Sequence, residues 1–205
     1  MEKRDRGFKV IAVVALVVAV VGLSIAYAGY TSTLKVDGTA TVASAWKIVW
    51  DDLDSGTPSG YANVDDATLA IDSTKQAIAG EIGTLKAPGD SIVYTWNVEN
   101  QGDIDATLAG VTLGTLSCAP ATGSSATQAQ ATAVCSELEI AFTYDGAPLT
   151  ASTTGDLLHN ATHNAAKPVT MTLTYKASSS GVELDGDVKV TLSTTSFVYN
   201  QKANS

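Results

Sequence analysis

The chain has 205 residues, of which 45% are hydrophobic and 16% are charged, and its formal net charge is −9 at pH 7. This length suits one all-β domain or a somewhat elaborated one, and the acidic balance disfavours nucleic acid as a partner. The sequence contains no HExxH zinc motif, phosphate loop, dinucleotide fingerprint or nucleophile motif. We therefore expect a protein that is not an enzyme and that needs no metal or cofactor.

The N-terminus has the composition of an export signal. Residues 1–9 carry four cations and two anions, and residues 10–28 are uncharged and long enough to span a bilayer as a helix. Ala26 and Ala28 occupy the third and first positions before a possible cut, in the small-residue pattern that signal peptidases recognise. We predict a signal peptide over residues 1–28 that is cleaved before Gly29, with a retained membrane anchor as the alternative.

A second possible cut follows Gly7. The junction of Gly7 with Phe8 and an apolar stretch resembles the leader junction of type IV pilins. That family usually carries a Glu five residues into the mature chain, where this sequence has Ala12. Cleavage after Ala28 is therefore the favoured interpretation. It leaves eight Lys and nineteen Asp or Glu, a net charge of −11 that favours solubility outside the cell.

Residues 29–42 alternate between apolar and Thr-rich positions, which predicts a strand with one apolar face. A strand freed by cleavage can complete the sheet of another subunit by β-augmentation, also called donor-strand complementation. Pairing within its own domain is the alternative. The candidate donor residues are those on the apolar face: Leu34, Val36, Ala40 and Val42.

Residues 43–205 contain further alternating runs separated by turn signals such as Pro88-Gly89-Asp90 and Asp145-Gly146. The parity of the last run reverses between Leu192 and Phe197, which predicts a bulge at residues 193–195. No helix is predicted after residue 28. Seven to nine one-sided strands must pack as two sheets, so we predict an all-β sandwich of jelly-roll or immunoglobulin-like shape.

The chain has two cysteines, Cys118 and Cys135, at the two ends of one short polar segment. In an exported chain this pattern indicates one disulfide that closes a surface loop. A metal or catalytic thiol would need further ligands, and none is suggested near by.

His159 and His163 lie four residues apart, which could offer two imidazoles to a metal if the segment were helical. The flanking Asn residues and Pro168 favour a loop instead, so no metal site is predicted. Asn160-Ala161-Thr162 fits a glycosylation acceptor in an organism that uses that pathway.

Acidic pairs are expected to be solvated turn carboxylates, because none has the spacing of a calcium loop. The three tryptophans lie on apolar strand faces, where core packing is favoured over a carbohydrate platform. The acidic pairs are Asp51-Asp52, Asp65-Asp66 and Asp185 with Asp187, and the tryptophans are Trp46, Trp50 and Trp96.

Several segments together resemble the TasA/camelysin family of secreted fibre-forming matrix proteins and the related archaeal bundling pilins. They are LKVDGTATV, AWKIVW, APGDSIVYTWNVENQGDIDATL and PVTMTLTYKA. The resemblance implies a jelly-roll subunit that a dedicated signal peptidase releases and whose N-terminal strand inserts into the next subunit. It does not extend to a camelysin protease activity, because the chain has no zinc-protease motif.

We therefore expect a structural subunit of an extracellular fibre, pilus or biofilm matrix, with a precursor in the membrane. Its partners would be copies of itself and, during export, signal peptidase. The alternatives are a monomeric surface module, anchored or shed, and a type IV-like pilin cleaved after Gly7.

Overall fold

A computed structural model describes residues 15–17, 46–163, 166–176 and 186–202 of the chain. Residues 15–17 are helical, and none of the helices in these ranges is long and apolar enough to cross a membrane. The contacts divide the chain between Val42 and Ala43, and all the elements below belong to the second unit. The following predicted residues lie outside the described ranges: Ala26, Ala28, Gly29, Leu34, Val36, Ala40, Val42 and Asp185.

From Ile48 onward the described residues form twelve strands and one helix. Their bounds in chain order are β1 (Ile48–Asp51), β2 (Thr57–Ser59), β3 (Ala70–Ile71), β4 (Ala77–Leu85), β5 (Ser91–Asn100), β6 (Ala106–Thr112), β7 (Leu116–Pro120), α1 (Gln128–Cys135), β8 (Leu138–Tyr144), β9 (Ala147–Leu149), β10 (Leu157–Leu158), β11 (Lys167–Tyr175) and β12 (Val188–Gln201). The number exceeds the predicted seven to nine because β2, β9 and β10, each of two or three residues, are too short to give an alternating pattern.

Sheet A is antiparallel, with the strand order β1-β5-β11-β8-β9 and with β2 also paired to β5. Strand β5 buries every second residue, as its alternation predicted. The turn at Asp145-Gly146 connects β8 to β9 with both residues at positive φ, 51° and 78°, as a tight hairpin requires.

Sheet B is also antiparallel, with the order β10-β6-β12-β4-β3. The last strand, β12, lies in its centre: β4 pairs with one edge, and β7 and β6 pair in turn with the other edge. The register with β4 shifts between Leu192 and Thr195, which confirms the bulge predicted at residues 193–195.

The inner faces of the two sheets pack together around a single large core, so the predicted two-sheet sandwich is confirmed. Trp50 and Trp96 are 2% and 1% exposed, and their ring centroids lie 5.6 Å apart. The hydroxyl of Tyr94 on β5 donates to the carbonyl oxygen of Ile82 on β4 at 2.8 Å, which satisfies a buried polar group between the sheets. Burial raises the pKa of Tyr94 to about 12.

The disulfide between Cys118 and Cys135 is confirmed, but it does not close a plain loop. It joins β7 to the last residue of α1, a helix that was not predicted. The helix begins with a capping box: the hydroxyl of Thr127 accepts the backbone N–H of Gln130, and the Gln130 side chain accepts the N–H of Thr127. This motif, Thr followed three residues later by Gln, is the feature of the sequence from which the start of the helix could have been predicted.

Candidate functional site

A cleft of about 370 Å³ opens between β1 of sheet A and the second half of β12 of sheet B. One side is formed by β1 and the residues before it, the other by the second half of β12, and the turn between β3 and β4 lies between them. Its lining includes Trp46, Ile48, Trp50, Thr74, Gln76, Phe197, Val198 and Tyr199.

The cleft exists because β4 is shorter than β12. Strand β4 begins at Ala77, which pairs with Ser196, whereas β12 continues to Gln201. Residues 197–201 pair with β6 on one edge, and no described strand pairs with their other edge. An unpaired edge presents backbone N–H and C=O groups that can pair with another chain.

The turn before β4 forms one wall of the cleft and prevents β4 from continuing along β12. The backbone N–H of Trp50 donates to the carbonyl oxygen of Lys75 at 2.7 Å, and the Lys75 ammonium pairs with Asp51 at 2.8 Å. Lys75 has a φ of 57°, a conformation that a non-glycine residue adopts only where its surroundings fix it. The turn is therefore attached to β1.

Asp72 fixes the shape of this turn. One carboxylate oxygen accepts the backbone N–H groups of Gln76 and Ala77, at 2.8 and 3.0 Å, and the other accepts the hydroxyl of Thr74. The hydrogen bond from Thr74 lowers the pKa of Asp72 most, and together these hydrogen bonds bring it to about 2. A charged Asp72 thus holds Thr74 and Gln76 at the wall of the cleft.

The floor of the cleft is aromatic. The rings of Trp50 and Phe197 meet edge to face with their centroids 4.8 Å apart. Trp46, expected in the core, is instead 39% exposed at the cleft, and Val198 is 56% exposed. Trp50 and Trp96 are buried as predicted. An aromatic floor beside an unpaired strand edge suits an extended segment with apolar side chains at alternate positions.

No protein-family model, curated protein or solved structure matches this chain. A role for the cleft is therefore inferred from its geometry and from the resemblance in sequence. Of the site residues predicted from sequence, Cys118 and Cys135 are the two within the described ranges, and they are bonded to each other. The residues of the cleft were not predicted as a site, because the sequence does not show that β4 ends before β12.

A second cleft, of about 420 Å³, is polar and differs in character. Four of its five charged side chains form ion pairs: Lys189 with Glu81, and Lys86 with Asp187 at 3.6 Å. Such a surface does not favour an apolar strand. The first cleft is therefore the candidate functional site.

Proposed function

We propose that this chain is a non-enzymatic structural subunit of an extracellular fibre, pilus or biofilm matrix. Residues 29–42 of one copy insert into the cleft of the next copy, and the sandwich is of the jelly-roll or immunoglobulin-like type. The observation that carries the proposal is the edge of β12 at residues 197–201, with which no strand of the described residues pairs and which lies beside the cleft with the aromatic floor.

The sequence of residues 29–42 fits this edge. Its apolar positions, among them Leu34 and Val36, have the period of a strand, so they can face Trp50 and Phe197 together while Thr side chains face water. Its backbone would pair with residues 197–201, so that hydrogen bonds contribute affinity and the apolar side chains contribute specificity.

Insertion between copies gives a polymer. The donor strand and the cleft are different surfaces of one chain, so each contact is heterologous and leaves one donor and one cleft free at the two ends. Such contacts extend as a filament unless the rotation between subunits closes a ring. The proposed location is the cell surface or matrix, after a signal peptidase has released Gly29 from a membrane precursor.

Electron microscopy of two purified chains tests the proposal. The chain that begins at Gly29 is expected to form filaments, and the chain that begins at Ala43 is expected to remain as single particles. Single particles from both chains would overturn the proposal in favour of a monomeric surface module. Filaments from both would show that residues 29–42 are not the polymerising element.

Sequencing the N-terminus of the protein purified from its own cells tests the processing step. Gly29 is expected. Phe8 would indicate a type IV-like pilin instead, and Met1 would indicate an anchored module.

A further inference from the structure

We propose that His159 and His163 form an exposed site for a divalent transition metal ion of the Zn²⁺ class. The inference is independent of the proposed fibre function, because it concerns a turn outside the cleft. The sequence disfavoured a metal here since the segment is not helical. The turn nevertheless brings the two imidazoles together.

The spacing of the rings suits a shared ion. The backbone N–H of His163 donates to the carbonyl oxygen of Asn160 at 3.0 Å, and this turn places the two ring centroids 5.9 Å apart. A Zn–N bond of about 2.1 Å puts each ring centroid about 3.2 Å from the metal, so two ligands at a tetrahedral angle have centroids about 5.2 Å apart. The observed separation of the centroids is thus about 0.7 Å longer than the separation that two ligands of one ion require.

Hydrogen bonds orient both rings with the same nitrogen free. Nδ1 of His159 lies 3.4 Å from a carboxylate oxygen of Asp105, and the other oxygen of Asp105 accepts the backbone N–H of Asn160 at 2.9 Å. Nδ1 of His163 lies 3.2 Å from Oδ1 of Asn160, which also accepts the backbone N–H of Thr162 at 3.1 Å.

Both partners of the Nδ1 atoms are oxygen acceptors, and this decides the tautomer. In a neutral imidazole the proton then lies on Nδ1, and the lone pair of Nε2 is free to bind a metal. Metal-binding histidines in proteins commonly have this arrangement, in which the second nitrogen donates to a carboxylate or an amide oxygen. Asp105 and Asn160 act here as positioning residues.

The donor set defines the class of ion. Imidazole nitrogen suits Zn²⁺, Cu²⁺ and Ni²⁺, whereas Mg²⁺ and Ca²⁺ prefer oxygen. Within the described residues, no group of three or more His, Cys, Asp or Glu side chains could hold a metal. The remaining positions on the ion are therefore filled by water or by a donor from another molecule.

Isothermal titration calorimetry of the full chain without a histidine tag, titrated with ZnCl₂, tests this site. We expect one Zn²⁺ per chain, a loss of affinity of at least tenfold in both His159→Ala and His163→Ala, and no binding of MgCl₂. Asp105→Asn is expected to weaken Zn²⁺ binding by about 10-fold to 100-fold. Asp66→Asn, which removes an exposed carboxylate in the second cleft, is the matched control and is expected to bind as the original chain does.

Nitrogen-15 NMR of the imidazoles separates a metal site from a merely structural pair. On adding ZnCl₂ the Nε2 signals of both histidines are expected to shift, while Nδ1 keeps its proton. The proposal is overturned if no saturable binding occurs, or if the chain with both His159→Ala and His163→Ala binds Zn²⁺ as tightly as the original. Thermal unfolding confirms that each variant is folded.

Discussion

The hydroxyl of Tyr199 on β12 donates a hydrogen bond to the hydroxyl of Tyr144 on β8, 3.1 Å away, and so connects sheet B to sheet A. Burial raises the pKa of both hydroxyl groups above the usual range of tyrosine. Both are therefore neutral at physiological pH, and the bond joins two uncharged groups. Phe197 packs edge to face on Tyr144 with a centroid separation of 5.9 Å, beside the same contact.

We expect Tyr199→Phe and Tyr144→Phe each to lower the free energy of unfolding by about 1 kcal/mol, because each leaves the remaining hydroxyl without its partner. The double variant is expected to lose less than the sum of the two losses, since both single changes remove the same bond. Urea denaturation of the four proteins measures this. Strictly additive losses would show that the two hydroxyls do not stabilise one another.

Asp90 makes stability depend on acid pH. Asp90 is 2% exposed, and its carboxylate accepts the backbone N–H groups of Tyr61, Lys86 and Ala87 at 2.8, 2.8 and 2.9 Å. Burial opposes the charged form, but the three N–H groups outweigh it and hold the pKa of Asp90 below its usual value.

A carboxyl with a lowered folded-state pKa stabilises the fold above its unfolded pKa of about 3.9, and this contribution is lost as pH falls through the folded value. We therefore expect the urea midpoint to decline below about pH 4. Asp90→Asn should be less stable at pH 7, because both carboxylate oxygens accept N–H groups and an amide has one oxygen, so its NH2 group would face a backbone donor. It should also show a shallower decline in acid, and an equal decline in both proteins would contradict this role of Asp90.

The disulfide spans a sequence separation of 17 residues. The chain-entropy treatment of a loop of this size predicts that replacing both cysteines with Ala costs about 3 kcal/mol of unfolding free energy. Guanidinium denaturation measures this loss of unfolding free energy in two ways, in the variant and in the original chain after reduction with dithiothreitol. Variant and reduced chain should agree, and an unchanged midpoint in both would contradict the prediction.

A substitution at Trp46 tests whether the cleft binds the donor strand, and this prediction rests on the proposed function. In the chain that begins at Gly29, Trp46→Glu is expected to abolish filaments seen by electron microscopy, because a buried unpaired charge would oppose insertion of an apolar strand. Tyr61→Glu is the matched control: Tyr61 is a 74% exposed aromatic residue that does not line the cleft. Loss of filaments in both variants would point to a general effect of added charge. Filaments in both would show that the cleft is not a contact between subunits.

Much of the fold was predictable from local pattern. The alternation of Ile92, Tyr94, Trp96 and Val98 gave β5 its buried face, and the change of parity before Phe197 located the bulge in β12. Helix α1 was missed because it is short, with buried residues only at Ala131 and Val134. Its capping box was a stronger indication than its hydrophobic period.

The cleft was not predictable in the same way. It results from the different lengths of β4 and β12, and these strands pair across more than a hundred residues of sequence. Trp46 was expected in the core because it shares a parity with Ile48 and Trp50. It is exposed because it precedes β1, which begins at Ile48, and lies at the open cleft between β1 and the end of β12. Alternation shows which face of a strand is apolar, but the neighbouring strands decide whether that face is covered.

The central place of β12 determines when the domain can fold during synthesis. Strands β4, β6 and β7 all leave the ribosome before β12, yet each pairs with it, and β4 does not pair with β6 or β7. A nascent chain that ends before Val188 thus holds half of its sandwich as separate pieces with exposed edges. Sheet B forms only when β12 arrives, so synthesis as far as Gln201 precedes the cooperative folding step.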